Sequence, residues 1–441
     1  MIRLIFFLLS ILPLGYFVIG EQDASGTTLT IAKIIQLAFV LYFGLNNISL
    51  WRKNTFFKLK IKKLVCYIVY ILFITFIYFI IFNSRHIVQE SLGILSGPLG
   101  IYFPLVILFN KYEQSTKPFL SYFVKFHVVI LVFGFIEYYF NFLGIWYLTK
   151  HSVSLGSGYV GLRFHSFYGE PRDAAIFCSY SIALSIALLE LKIGNKSLNI
   201  LYLLSSCLAL PLTLSVTAVA ALMYTFTVYL AMKIWHAIKQ YSINIKTLSV
   251  GILLGLLTLL SISYIMFADP SNNRINSYFS SISELNVENI AFSGLKTELA
   301  NILPFFIFFS RLESANLLFL TGSGALSSSS IVTDYISSFN IDSGIVHSRL
   351  NPMSAFSRII IECGVVGLSL FMRFAWSSQG QSFILQVSSS LIIGSYFALR
   401  SDIFFLFIYL IHAATVHNSN AVNGSLDIYK VPLKSGQIGG S

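Results

Sequence analysis

Apolar runs of about 20 residues recur from one end of this 441-residue chain to the other, and they limit its possible folds more than any other feature. A run of that length is what an α-helix needs to cross about 30 Å of hydrocarbon. Hydrophobic residues make up 56% of the chain and charged residues 11%, whereas charged side chains are about a quarter of an ordinary soluble protein. The sequence therefore predicts an all-α, polytopic membrane protein.

The runs predict about twelve membrane-spanning helices in a single transmembrane domain over residues 1–416. The predicted spans are 4–20, 29–49, 64–83, 92–109, 127–148, 173–190, 198–213, 215–233, 247–267, 353–372, 383–399 and 402–416. The first run lacks a small-residue cleavage site of the usual kind, so we expect a retained span and not a signal peptide. Residues 417–441 are expected to form a short, loosely ordered cytoplasmic tail.

Basic residues predict how the spans are oriented. The segment 51–63 carries six Lys or Arg and no acid, and such segments stay in the cytoplasm. Alternation of the other spans then places both termini in the cytoplasm, and the inside segments hold about twice as many Lys and Arg as the outside segments. The net charge of +11 is thus read as a topology signal, and no nucleic-acid partner is expected.

Two polar segments fall outside in this topology. One is a large periplasmic loop over 268–352, which is net acidic and is expected to carry short helices; its apolar stretch 299–309 is too short to span and predicts a helix at the outer interface. The other, 161–173, packs Arg163, His165, Glu170 and Arg172 into the mouth of the sixth span. We expect the two segments to form one active site on the outer face.

The residue types in these segments suit the binding of a group with several negative charges. Each arginine offers a planar fork of donors that stays charged, which suits a diphosphate or several carboxylates. His347, just before the tenth span, is a candidate general base, because a histidine near pH 7 is easily kept neutral. The alternatives are that Arg163 and Arg172 only flank the span and that His347 is a surface residue.

Other ionisable and thiol groups favour structural roles. Arg358 and Glu362 are four residues apart in the tenth span, so they share a helix face, and a structural ion pair between helices is the favoured interpretation. Glu137 in the fifth span is a second buried candidate. The four cysteines show no paired spacing, so plain thiols are expected, with no metal site.

Several motifs occur together in a characteristic order. They are Arg-x-x-Ser-x-x-x-Glu-Pro at 163–171, Arg274 at the start of the long loop, Gly-x-Gly at 322–324, and His347 followed by Glu-Cys-Gly-Val-Val-Gly at 362–367. Over about 160–372 the chain resembles the O-antigen polymerase and O-antigen ligase family of bacterial envelope proteins. It departs from the family pattern at Ser166, where glycine is common, at Ser348, where asparagine is common, and near 214–218, where an arginine is frequent.

The resemblance implies transfer of a glycan from an undecaprenyl diphosphate carrier to a sugar hydroxyl. The reaction would occur on the periplasmic side of the bacterial inner membrane and would need neither cofactor nor metal. Arg163 and Arg274 would stabilise the charge on the diphosphate, and His347 would deprotonate the attacking hydroxyl. The predicted substrate-binding residues are Arg172, Arg349, His165 and Glu170.

Four functions fit the sequence to different degrees. A polymerase of lipid-linked repeat units comes first, with a chain-length regulator protein as a partner expected from the family; an O-antigen ligase is the second. A polyprenyl-dependent glycosyltransferase of another fold would use an acid in the first outer loop, where Glu21 and Asp23 lie. A flippase or transporter would carry ionisable residues deep within several spans, whereas the polar clusters of this chain concentrate at one face.

Overall fold

Helices make up almost all of the described structure, as the apolar runs predicted. The computed structural model describes residues 2–14, 18–19, 29–30, 55–82, 97–111, 115–142, 163–168, 171–213, 215, 222, 225, 249, 252–253, 255–260, 263, 296–324, 327–337, 354–376, 383–396 and 401–428. Its α-helices are α1 (Ile2–Ile11), α2 (Thr55–Phe82), α3 (Phe103–Lys111), α4 (Thr116–Phe142), α5 (Pro171–Glu190), α6 (Lys196–Leu212), α7 (Lys296–Glu313), α8 (Leu318–Thr321), α9 (Ser327–Ser337), α10 (Ala355–Glu362), α11 (Gly364–Ala375), α12 (Phe383–Gly394) and α13 (Ser401–Ile428). A π-helical turn, Pro98–Tyr102, leads into α3, and a 3-10 turn, Ser166–Tyr168, precedes α5.

Two helices of the described part are long and apolar enough to cross a membrane by length and composition. They are Thr116–Phe140 and Pro171–Glu190, and several other apolar helices are shorter. The α-helical class is thereby confirmed, whereas the number of spans stays a prediction. The apolar stretch 299–309 does form a helix, which extends over Lys296–Glu313.

The chain near its N-terminus differs from the prediction of a continuous first span. Helix α1 ends at Ile11, and Leu14 donates a backbone hydrogen bond to Ile11 O at 2.8 Å in the turn that follows. Pro13 explains the end, because it has no N–H to donate and its ring clashes with a helical turn. Val18–Ile19 then pairs with Leu29–Thr30 as two short antiparallel strands. Both segments were predicted to be helical, and that prediction is wrong for them.

Helices α5 and α6 form an antiparallel hairpin at the centre of the main core. Every side chain of α5 from Ala174 to Leu188 is buried. Small residues alternate with large ones there, which lets the neighbouring helices approach closely. The hydroxyl groups of Ser181 and Tyr202 lie 2.6 Å apart and join the two helices, and Phe407 of α13 contacts the ring of Phe177.

The predicted tenth span is broken into two helices. Helix α10 ends at Glu362, and α11 begins at Gly364, whose φ is +61°. The C-terminal end of α11 contacts α2, where buried Lys60 donates from Nζ to Phe374 O at 2.8 Å and also to Trp376 O. These bonds satisfy carbonyls that a helix C-terminus leaves without intrahelical partners.

Helix α13 extends further than the predicted twelfth span. It continues to Ile428, so the first part of the predicted tail is helical and not irregular. Residues 429–441 lie outside the described part.

Candidate functional site

The α5–α6 hairpin brings two of the predicted arginines to the same end. Arg172 stands in the first turn of α5, and Arg163 donates from Nε to Thr213 O at 2.9 Å, immediately after the C-terminus of α6. The helices are antiparallel, so both positions lie at the end of the hairpin opposite the turn at 191–195. We name this end the open end of the hairpin. Phe164 adds a backbone bond to Leu212 O at 2.9 Å.

The segment 163–168 is held against α4 by a strained serine. Ser166 has φ +50° and donates from Oγ to Ile130 O at 3.1 Å. A Cβ at Gly134 would lie 2.6 Å from Ser166 Cβ and 2.9 Å from Phe164 Cζ, so only glycine leaves room there. The ring of Phe164 is buried and packs on Phe135 at 5.1 Å.

His165 and Tyr168 flank this turn and have different environments. His165 is half-buried, and its Nδ1 lies 3.0 Å from Ser166 O; since a carbonyl only accepts, this contact requires a proton on Nδ1. Tyr168 is fully buried, stacks on Phe177 at 4.1 Å and has its hydroxyl 3.3 Å from His127 Nδ1. Burial raises the pKa of Tyr168 well above its usual value, so this phenol stays protonated and serves as a fixed support.

The open end of the hairpin has the electrostatic character of an anion site. Pro171 occupies the first position of α5, where its missing N–H costs nothing and where the helix macrodipole is positive. Arg172 adds a full charge in the same turn and Arg163 a second one, while Asp173 is the acid of that turn. The positive end of the helix macrodipole and the two guanidinium groups favour an anionic group at this end.

Four predicted site residues lie outside the described part of the chain: Glu170, Arg274, His347 and Arg349. The structure brings together Arg163, His165 and Arg172, and the proximity of the other four to them stays a prediction.

A second arrangement joins the Gly-x-Gly motif to the break in the tenth span. Ser323 and Gly324 donate backbone bonds of 3.0 Å each to the carbonyls of Ile361 and Glu362 at the end of α10. A Cβ at Gly322 would lie 2.3 Å from Glu362 O, and a Cβ at Gly364 would lie 2.3 Å from Leu320 O. Both glycines have positive φ, so the crossing of the two backbones depends on glycine at both positions.

The predicted ion pair lies at this crossing. Arg358 Nε is 3.2 Å from Glu362 Oε1, and the same oxygen accepts a 2.6 Å bond from Ser328 Oγ of α9. Tyr70 of α2 donates to Thr321 O at 2.8 Å and to Cys363 O at 3.2 Å. Arg358 and Glu362 thus pair with each other within α10, and not between helices as expected. Ser328 and Tyr70 had no sequence signal because their partners are distant along the chain.

All four cysteines are free thiols, three of them buried, and Glu137 is buried within α4. Within the described residues, no group of three His, Cys, Asp or Glu side chains could hold a metal ion.

Comparison of the chain with protein-family models, with curated proteins and with solved structures finds no match.

Proposed function

We propose that this chain is an integral membrane glycosyltransferase with about twelve spans in the bacterial inner membrane. Membrane insertion is supported by apolar side chains that α2 exposes at helical spacing: Val69 is 57% exposed, Phe73 59%, Phe76 61% and Ile80 64%. A stripe of this kind is unfavourable in water and favourable against lipid.

Contacts between helix ends support the proposed alternation of spans. Ala355 and Tyr396 both stand at predicted outer ends, and their backbones are joined by a 3.2 Å bond. Lys60 and Trp376 both stand at predicted inner ends and are also hydrogen-bonded. Hydrogen bonds of this kind are expected between neighbouring antiparallel spans, because outer ends then lie beside outer ends and inner ends beside inner ends.

The proposed reaction is polymerisation of undecaprenyl diphosphate-linked repeat units on the periplasmic face. The observation that carries it is the fixing of Arg163 and Arg172 at one end of the α5–α6 hairpin, the end predicted to face outwards. There the arginines would bind the diphosphate and stabilise its charge as the sugar–phosphate bond breaks. Arg274 and Arg349 would add charge, and His347 would accept the proton of the attacking hydroxyl.

The test is formation of a surface-glycan ladder in a strain that lacks this gene and carries single variants. Arg163→Ala and Arg172→Ala should lower polymer formation by about 100-fold, the usual effect of losing one preorganised donor. Lys117→Ala is the matched control, because it removes an exposed positive charge from the first turn of α4. His347→Ala and Arg274→Ala test the sequence-based part of the proposal, and membrane levels are measured for every variant.

The outcomes separate the possible functions. A single capped repeat unit in the arginine variants, with a ladder in the wild type and in the control, supports a polymerase. If no capped unit appears and polymer stays on its lipid carrier, the protein is a ligase. Unchanged ladders in all variants would show that the arginines only flank the span.

A lipid-linked glycan flippase is the second candidate, and the broken tenth span favours it. Transporters use discontinuous helices at their binding sites, and the break at Cys363 has the buried carboxylate of Glu362 beside it. Glycan transfer by purified protein in detergent, where there is no second compartment, would exclude a flippase. Movement of lipid-linked glycan across proteoliposomes without polymerisation would replace the enzyme proposal.

A further inference from the structure

A cavity of about 770 Å³ lies at the turn end of the α5–α6 hairpin, opposite Arg163 and Arg172. Its volume is in the range of about 300–1,000 Å³ usual for ligand sites. Most of its lining is apolar, contributed by Ile186, Leu189, Ile200, Leu203, Leu253 and Ile384. Polar groups occur at its rim, which carries Glu190, Lys192 and Lys196.

The rim is rigidly built and holds Lys192 in an unusual conformation. Lys192 has φ +54° at the C-terminus of α5, a position where glycine is usual. Ile193 N bonds to Leu188 O at 3.0 Å, which closes the helix end around it. A non-glycine residue in this region costs about 1 kcal/mol, so the chain keeps a lysine here at a cost in stability.

The adjoining N-terminus of α6 is fixed by two asparagines. The side chain of Asn195 accepts bonds from Ser197 N at 2.9 Å and Leu198 N at 3.3 Å. Buried Asn199 donates from Nδ2 to Ile193 O at 2.8 Å. Lys196, the first residue of α6, is thus held at the same rim as Lys192, beside the positive end of a helix macrodipole.

All of the described residues that line the cavity lie at the predicted cytoplasmic ends of spans. Residues 186–190 end the sixth span, 199–203 begin the seventh, 249–253 begin the ninth, and Ile384 begins the eleventh. The cavity therefore opens where anionic lipids of the cytoplasmic leaflet are concentrated.

We infer that this cavity binds an anionic glycerophospholipid, with an acyl chain against the apolar wall and the phosphate at Lys192 and Lys196. The chemistry matches because the described wall is mostly apolar and the described part of the rim has two cations to one acid. Basic pockets between helices on the cytoplasmic side suit such head groups. The inference rests on the proposed membrane topology and not on the proposed reaction.

The experiment measures binding of defined lipids to the purified, delipidated full chain by native mass spectrometry. The wild type should bind phosphatidylglycerol in preference to phosphatidylcholine, which has no net charge. Lys192→Ala with Lys196→Ala should reduce this preference by about fivefold for each lysine. The control is Lys117→Ala with Lys125→Ala, which removes two exposed lysines of α4 and should leave the preference unchanged.

A second pair of variants tests the cavity itself. Leu203→Trp fills the apolar wall and should reduce phosphatidylglycerol binding. Leu204→Trp adds the same side chain at the next position, which is 54% exposed and outside the cavity, and should leave binding unchanged.

Three results would overturn the inference. They are equal binding of the two lipids by the wild type, an unchanged preference in the double lysine variant, and displacement of the lipid by inorganic phosphate alone. Glycan ladders are recorded in parallel, so that failure of lipid binding is distinguished from failure of the proposed reaction.

Discussion

Replacing Gly322 by alanine should disrupt the crossing between the Gly-x-Gly segment at 322–324 and the break between α10 and α11. Gly322 has φ +78° and ψ 177°, a region that is almost exclusive to glycine because any Cβ clashes with the backbone there. The new Cβ would also lie 2.3 Å from Glu362 O and 2.5 Å from Cys363 N. These neighbours are backbone atoms, so no rotation of a side chain can relieve the contact.

The size of the effect follows from two contributions. The unfavourable φ and ψ cost about 1–3 kcal/mol. Relief of the clash requires the two backbones to separate, which breaks the bonds from Ser323 N to Ile361 O and from Gly324 N to Glu362 O. Each broken bond that leaves a buried group unpaired costs about 1–3 kcal/mol, so the full loss is about 3–9 kcal/mol. Partial relaxation should place the observed loss at the low end of this range.

Gly194→Ala provides a matched control. Gly194 has the same φ of +78°, but the nearest atoms to its added Cβ are 3.9 Å away, at the amide of Asn199. In this variant, the unfavourable backbone conformation alone should lower the free energy of unfolding, by about 1–2 kcal/mol. Thermal denaturation in detergent, followed by loss of monodisperse protein, should therefore lower the transition temperature more for Gly322→Ala than for Gly194→Ala. Equal transition temperatures for the two variants would refute the crossing as described.

Two further variants test the packing of the open end and the buried lysine. Gly134→Ala should displace the segment 163–168 and lower polymer formation at normal membrane levels, and adding Ser166→Gly should restore part of it by removing the 2.6 Å contact; a normal ladder in the single variant would contradict this. Burial lowers the pKa of Lys60, just before its predicted span, to about 7 from 10.5, so between these values the unfolded chain binds more protons and stability should rise with pH. Lys60→Met should flatten that rise, measured as transition temperature from pH 7 to pH 9, and an equal slope in both proteins would contradict the assignment.

The helices could be predicted because hydropathy is a local property. The length of an apolar run is visible in the sequence, and residues at i and i+4 are neighbours on any helix. Helix α5 and the contact of Arg358 with Glu362 could therefore be predicted. Pro13 is a local signal for the early end of α1. Hydropathy averaged over the whole apolar run does not show this signal.

The break in the tenth span could not be predicted in the same way. An average over 353–372 is insensitive to one non-helical residue, and the positive φ of Gly364 is stabilised by Gly322, more than forty residues earlier. The conformation of Ser166 likewise depends on the space beside Gly134. In both places the sequence shows a glycine and gives no indication of the partner that requires it.

The two glycine-dependent contacts also make the proposed functions separable. Among the described residues, Gly134 makes room for the segment that carries Arg163, whereas Gly322 makes room for the break beside Glu362. A glycosyltransferase that acts at the open end of the hairpin should lose more activity per molecule in Gly134→Ala than in Gly322→Ala. A flippase that uses the broken span should show the reverse order, because its cargo passes the site that Gly322 shapes. The ranking of these two variants, normalised to folded protein, therefore decides between the functions without knowledge of the sugar.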